Sequence, residues 1–279
     1  VVDLVSQAIW VAFATDDSGG GTSDFPNAAT TGVQDGVTLT PRGDWDINAP
    51  GTYQNMQVDG YVVINANNVT LRNCLVTAQP GQVGGVVYVA SGKTGVVIEY
   101  CDLDGAQVQG LKGIWCDDSV GTMMRFNDIA HCEDGIYLTN NNHEIRDNYI
   151  HDLDATAPDP HHDNIQIGGS GTGIIIDHNT LIGAADANAI LQFGNAFGNI
   201  SVTLNHNLMR PGPVMLCLLN LGDSANGNTV VWDVTNNHME PGHHGAGPQF
   251  GYATWNVNPP TTWTGNVDAD TLVSIPPPT

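Results

Sequence analysis

The sequence predicts an all-β fold, a solenoid in which each repeat winds one coil of a parallel β-helix. Three observations predict it. First, the pattern apolar-x-x-Asn/Cys-x-apolar, as in Ile145-Arg146-Asp147-Asn148-Tyr149-Ile150, recurs with its fourth position at Cys74, Cys101, Asn127, Asn148, Asn179, Asn207 and Asn237. The steps between copies are 27, 26, 21, 31, 28 and 30 residues, and self-similarity at roughly 20–50 residues marks a solenoid, a propeller or an array. Second, an alternating column precedes each later copy: Val86-Val87-Tyr88-Val89, Ile114-Trp115-Cys116, Ile136-Tyr137-Leu138, Ile165-Gln166-Ile167, Ile190-Leu191-Gln192 and Met215-Leu216-Cys217. Strand side chains alternate faces, so in the middle three the apolar residues point inward and Trp115, Tyr137 and Gln166 point out. Third, between copies lie short strand-like runs and turn residues with no convincing helix, in a chain with 33 glycines and only 13% charged residues.

Taken in order, residues 1–24 read as a cap and linker. Val2, Val5, Ile9 and Phe13 recur at roughly helical spacing, and a short helix there would cover the open N-terminal end of the solenoid; a subunit contact is the alternative. Asp16 to Asp24 is a Gly/Ser/Asp-rich loop. Residues 25–240 form the β-helix, with coils from about residue 44. Asparagines stacked coil upon coil can bond their amides along the axis, so the repeated Asn reads first as an internal ladder. Residues 241–279 read as a covering segment rich in Pro, Gly and aromatics, closing on the extended tail Ile275-Pro276-Pro277-Pro278-Thr279.

A solenoid buries its core between neighbouring coils, so 279 residues read as one domain. The net charge of −22, with seven basic residues, excludes binding of nucleic acid or an anionic membrane through a basic surface. No apolar run reaches membrane-spanning length. Residues 1–13 lack the basic start of a signal peptide, and the missing initiator Met reads as a processed or trimmed chain. The five cysteines, Cys74, Cys101, Cys116, Cys132 and Cys217, read as small buried thiols, with no zinc spacing.

The densest chemistry is Asp159-Pro160-His161-His162-Asp163, in the longest step between repeats. Aligning the second column brings Lys112, Asp134, Asp163 and Asn188 to one edge, with Trp115, Tyr137 and Gln166 beside them. This combination suits a sugar: aromatic faces for C–H surfaces, carboxylates and imidazoles for hydroxyls or acid–base work. His161, Asp163, Asp159 and Asp134 are the candidate catalytic residues. Lys112, Trp115, Tyr137, His162, Gln166 and Asn188 are the candidate substrate contacts. The plainer reading of 159–163 is an ordinary turn, begun by Asp and fixed by Pro. Asp102, Asp104, Asp152 and Asp154 follow ladder copies at turns; they read mainly as solvated residues, though such turns could take Ca²⁺. His243-His244 carries no metal signature.

Residues 25–41, FPNAATTGVQDGVTLTP, together with VVINANNVTLRNCLV and the Asn-ladder coils, resemble the right-handed, pectate-lyase-like β-helix proteins of actinobacteria and of the tails of their phages. The resemblance implies a right-handed parallel β-helix, placed outside the cell or on a virion and often acting on glycans; it does not fix an activity. In tail assemblies such helices stand around a three-fold axis, which implies a homotrimer. Asp159-Pro160-His161 is also similar to the Asp-Pro-His element of mannuronan C-5-epimerases. By that likeness His161 is the base, Asp159 orients or neutralises, Lys112 binds a uronate and Tyr137 is the acid, but the Tyr that precedes the motif in that family is replaced by Ala155-Thr156-Ala157-Pro158. The sequence-level expectation is therefore recognition, with modification or depolymerisation, of an extracellular or cell-surface polysaccharide. The alternative is a non-catalytic tail-spike module or a structural spacer.

Overall fold

A computed structural model describes residues 24–153, 162–184, 189–193, 199–211, 219–220, 229–240, 253–254 and 261–277. The expected helical cap falls on residues 1–23, outside the described residues, as do the Met215–Cys217 strand and Cys217. Among the described residues there is no α-helix; the strands form three parallel sheets of ten, nine and nine strands, here called A, B and C. Each coil visits B, then C, then A. One coil, for example, runs Lys112–Cys116 in B, Met123–Arg125 in C and Asp128–Ala130 in A, and Asp134–Leu138 then returns to B beside the first strand.

Each coil closes because its corners are chemically specified. Where C turns into A, one residue adopts the left-handed conformation: Asn55, Asn73, Tyr100, Phe126, Asp147, His178, His206 and Asn236, with Gly265 ending the series. A left-handed non-glycine residue costs about 1–2 kcal/mol. The next residue offsets that cost. Asn127, Asn148, Asn179, Asn207 and Asn237 are fully buried, and the Nδ2 of each donates to the Oδ1 of the next at 2.9–3.0 Å. The ladder has a rung beyond the seven read from sequence, Asn266, which accepts from Asn237. At its other end the thiols of Cys74 and Cys101 take the place of the amides and donate to the carbonyls of Arg72 and Glu99. Cys74, Cys101, Cys116 and Cys132 are free and buried.

Inside, the coils stack Ile, Val and Leu in columns such as Val87, Ile114, Ile136, Ile165 and Leu191, all sealed from solvent. Each such side chain contributes about 1.5–3 kcal/mol relative to exposure. Parallel pairing continues past residue 240, where the sequence pattern fades. Thr262–Thr264 pairs in sheet C and Val267–Asp268 in sheet A, so part of the expected covering segment is a further coil. Residues 24–34 do something the pattern did not show. They run lengthwise outside the C-to-A corner as a strap: Phe25 packs on His178, His206 and His238, the Gly32 amide bonds the Phe126 carbonyl, and the Gln34 amide bonds Asn73 Oδ1.

Candidate functional site

The outer face of sheet B is built by register. Asp46, Val63, Tyr88, Trp115, Tyr137, Gln166 and Gln192 occupy one column on successive strands. Inward neighbours such as Ile114 and Ile136 are buried, so the alternation expected for Trp115, Tyr137 and Gln166 is what the structure shows. Their arrangement differs from a flat platform. Trp115 meets Tyr88 at 83° and Tyr137 at 80°, with centroids 5.4 and 5.9 Å apart, so the rings stand edge to face. That is the arrangement the ring quadrupoles favour. The indole leans over Gly84, where a β-carbon would touch it at 3.5 Å, and a β-carbon at Gly85 would press on the Val87 carbonyl and the Trp115 backbone. Tyr88 is fixed by a 2.7 Å hydrogen bond from its hydroxyl to Asp117. Burial first, and then Asp117, push the Tyr88 pKa up to about 12, so the phenol keeps its proton.

A cleft of about 890 Å³ opens over the N-terminal half of this column. Val63, Tyr88, Trp115, Tyr61, Asp44 and Asp46 line it, and the loop 79–85 forms a wall. Sequence reading had not placed Asp44, Asp46, Tyr61 or Tyr88 in a site. The available signals were Tyr88 in the alternating column and the Pro80-Gly81…Gly84-Gly85 turn composition. What was missing was knowledge that this loop rises beside the sheet.

Of the edge column expected from sequence, Lys112, Asp134 and Asp163 fall in place, but Ala189, one position past the expected Asn188, is the residue in register with Asp163. Lys112 pairs in register with Asp134. Lys112 Nζ lies 2.9 Å from Asp134 Oδ2 and 3.4 Å from Glu133 Oε1. The Asp163 amide donates to Asp134 Oδ1 at 3.1 Å. Thus Lys112, Asp134 and Asp163 are brought together, and Glu133 joins them unforeseen. Both aspartates are 1% exposed, which seals them away from the open face among the described residues. His162 is likewise buried. Asp159, His161 and Asn188 lie outside the described residues.

The electrostatics separate the two acids. Burial pushes the Asp134 carboxyl above its usual range, and the Lys112 ammonium opposes that shift. Asp163 is driven much further up, by burial first and then by the charge of Asp134. Both Asp163 oxygens are buried, and among the described residues the Ala189 backbone amide is the one hydrogen-bonding group that lowers its proton affinity. Lys112 keeps its charge. Burial works against it, yet Asp134 and Glu133 prevail and raise its pKa. The result is an ammonium–carboxylate pair beside a second carboxyl group whose proton affinity is raised further, a division of roles that acid–base sites employ.

The Asp-rich turns are occupied by local bonds. Asp102 accepts from the Val33 amide and Asp104 from the Ala106 amide, while Asp152 meets His151. Asp154 lies outside the described residues. Among the described residues no group of three or more His, Cys, Asp or Glu side chains is arranged to hold a metal ion.

Among curated proteins and among solved structures, none matches this chain. The model of the family described as right handed beta helix region matches residues 36–207, from the lead-in segment through the Asn207 rung. That span covers more than half of the 279 residues and coincides with the coils that carry the ladder and the sheet B columns. The chain therefore belongs to the right-handed β-helix family.

Proposed function

We propose that the protein recognises a polysaccharide along the outer face of sheet B. One observation carries the reading: the cleft beside Tyr88 and Trp115. Its volume falls within the roughly 300–1,000 Å³ of small-ligand sites. Its floor is a rigid parallel sheet, so the rings are held in place before any ligand arrives and little ordering cost remains on binding. The carboxylates of its lining and the aromatic rings of its floor match the hydroxyls and C–H faces of a pyranose. The parallel column continues past the cleft through Tyr137, Gln166 and Gln192, which suits an extended chain more than a compact molecule. On this reading the protein is a glycan-recognition β-helix of an extracellular surface or a virion. The Asp134–Asp163 pair supports turnover only if substrate reaches its buried carboxyls.

The test is a panel of soluble glycans followed by tryptophan fluorescence and, in parallel, by release of reducing ends. Saturable binding that falls about tenfold or more in Trp115→Ala is expected, the loss of one aromatic stacking contact. Undiminished binding in that variant, or no binding across the panel, would overturn the assignment. Reducing ends released by the parent and lost in Asp163→Asn would add catalysis to recognition.

A further inference from the structure

We propose that the sheet B cleft selects glycans carrying protonated amino groups and rejects uronates and other polyanionic sugars. This rests on the glycan reading above and specifies its substrate class. The lining has two carboxylates, Asp44 and Asp46, and no Lys, Arg or His. Asp46 is exposed on the outer face of its strand, in register with Val63, Tyr88 and Trp115. At about 4.8 Å between strands, it stands ~14 Å from the Trp115 position, a span for a short oligosaccharide with an amine at one end and a stacked ring at the other. Asp44 accepts the Tyr61 amide at 3.3 Å through Oδ1, which holds its carboxylate in the wall. Asp117, bonded to the Tyr88 hydroxyl, adds a third negative group behind the aromatic floor.

The basic residues reinforce the selection, because they are already engaged. Arg42 sits over the Trp45 ring at 4.0 Å. Arg72 and Arg125 both pair with Glu99. Arg146 pairs with Asp177 and Glu144, and Arg210 with Glu240 and Asp270. Lys112, the cation next along the sheet, is held by Asp134 and Glu133. Seven basic residues are present in all, and six of them have these partners, leaving Lys93 in a turn outside the lining. A uronate chain would therefore enter a negative cleft of a molecule carrying −22 with no cation in the lining to meet it. An amine would find carboxylates beside a surface that its C–H faces can stack on.

The experiment uses three trisaccharides: glucosamine, its N-acetylated counterpart and galacturonate. Each is titrated by Trp fluorescence near pH 6, at low and high salt, with and without added Ca²⁺. The amine trimer should bind about five- to tenfold tighter than the acetylated one, the worth of two exposed ion pairs, and salt should erase the difference. Asp44→Asn/Asp46→Asn should weaken the amine trimer by the full five- to tenfold and the acetylated trimer by much less, which closes the gap between them. Asp35→Asn, an exposed charge outside the lining, should change neither. Tightest binding of galacturonate, with or without Ca²⁺, would overturn the proposal. So would an amine preference that survives the double substitution, since it would then come from overall charge. Binding of the acetylated trimer without any amine preference would sink this inference and leave the glycan reading intact. Failure of all three, together with the wider panel, would remove that reading too.

Discussion

The backbone amide of Asp163 donates to the carboxylate of Asp134 across 3.1 Å, tying two buried acids on adjacent coils. The two acids are not equivalent. Asp134 also answers Lys112 at 2.9 Å, whereas among the described residues no cation pairs with Asp163, which has the Ala189 backbone amide beside it. Removing the charge of Asp134 strands a mostly buried ammonium, and breaking a buried pair costs about 3–5 kcal/mol. Glu133 still reaches Lys112 at 3.4 Å, so the cost of Asp134→Asn should fall at or just below that range, about 2–3 kcal/mol. Asp163→Asn removes an acid whose charged form is disfavoured and should cost less than about 1 kcal/mol, or stabilise. Urea unfolding at neutral pH reads both. A larger loss from Asp163→Asn than from Asp134→Asn would contradict the division of roles.

The same pair sets a pH dependence whose sign follows from its direction. Asp163 has a folded-state pKa well above its ordinary 3.8. Between those two values the folded chain holds a proton that the unfolded chain has released. The associated stability is therefore fully present below about pH 4 and is lost as pH rises through the folded pKa. Asp134 shifts in the same direction and adds to the trend. Asp163→Asn cannot titrate, so the melting temperature of the variant relative to the parent should climb from pH 4 toward neutrality. Parallel profiles for the two proteins would show that Asp163 is ionised in the fold at all these pH values.

The strap carries an opposite partner chemistry with the same sign. His178 Nδ1 donates to Asp147 Oδ1 at 2.6 Å, and its other ring nitrogen meets the Asp24 carbonyl at 3.1 Å. Its pKa is raised, by the Asp147 hydrogen bond first, against burial. The groups around it are Asp147, Asp177, His206 and Phe25. The contribution of His178 is full below its ordinary value of 6.5 and is lost as pH rises through the raised one. Amide exchange in residues 25–34 should accelerate above neutral pH, and Asp147→Asn should flatten that response. Phe25→Ala, which empties a site 3% exposed, should cost about 3 kcal/mol and release the strap at all pH values.

The repeat was readable because its physics is local: a left-handed residue, a buried Asn and an inward apolar residue within six positions. The Asn266 rung escaped because Asp268 stands where the pattern asks for an apolar residue, although Trp263 and Asn266 keep their spacing. The column Lys112–Asp134–Asp163 was readable for the same reason, since register follows from the alternating strands. Burial of those acids was not, because register assigns neighbours within a sheet and says nothing of what covers them. The cleft depends on the loop 79–85, and the strap on contacts such as Val33 to Asp102, far apart in sequence. No periodicity encodes either.

The ladder itself makes a quantitative claim. Asn179 donates through Nδ2 to the Ile145 carbonyl and to Asn207 Oδ1, and its own Oδ1 accepts from both the amide and the side chain of Asn148. Asn179→Ala would leave several of these buried groups without partners, at about 1–3 kcal/mol each. A total of about 4 kcal/mol is expected after local relaxation. Asn237, nearer the end of the column, bonds in the same way to Asn207, Leu204 and Asn266. Its replacement should cost a comparable amount, as ladder energetics depend on nearest neighbours. Chemical denaturation of both variants checks this; a loss under 1 kcal/mol at Asn179 would mean water satisfies the gap.

Gly168 offers a separate handle on the glycan face. A β-carbon there would fall 1.9 Å from the Tyr137 hydroxyl oxygen and 2.2 Å from the ring carbon that bears it. The ring therefore lies directly over this glycine, and the requirement concerns space. What must give way is the far end of a half-buried side chain on the outer face of the sheet, so Gly168→Ala should cost only about 1 kcal/mol in stability. Its larger effect should be to drive Tyr137 from its place beside Trp115, the ring it meets at 80°. If the bound glycan runs along the column, affinity should fall several-fold, about as far as in Tyr137→Ala. The double variant then decides the mechanism. With Tyr137 already absent, Gly168→Ala has no ring to displace, so the two losses should not add. Additive losses in a binding cycle would show that Gly168 acts through the backbone of its own strand and that Tyr137 does not lie along the path of the glycan.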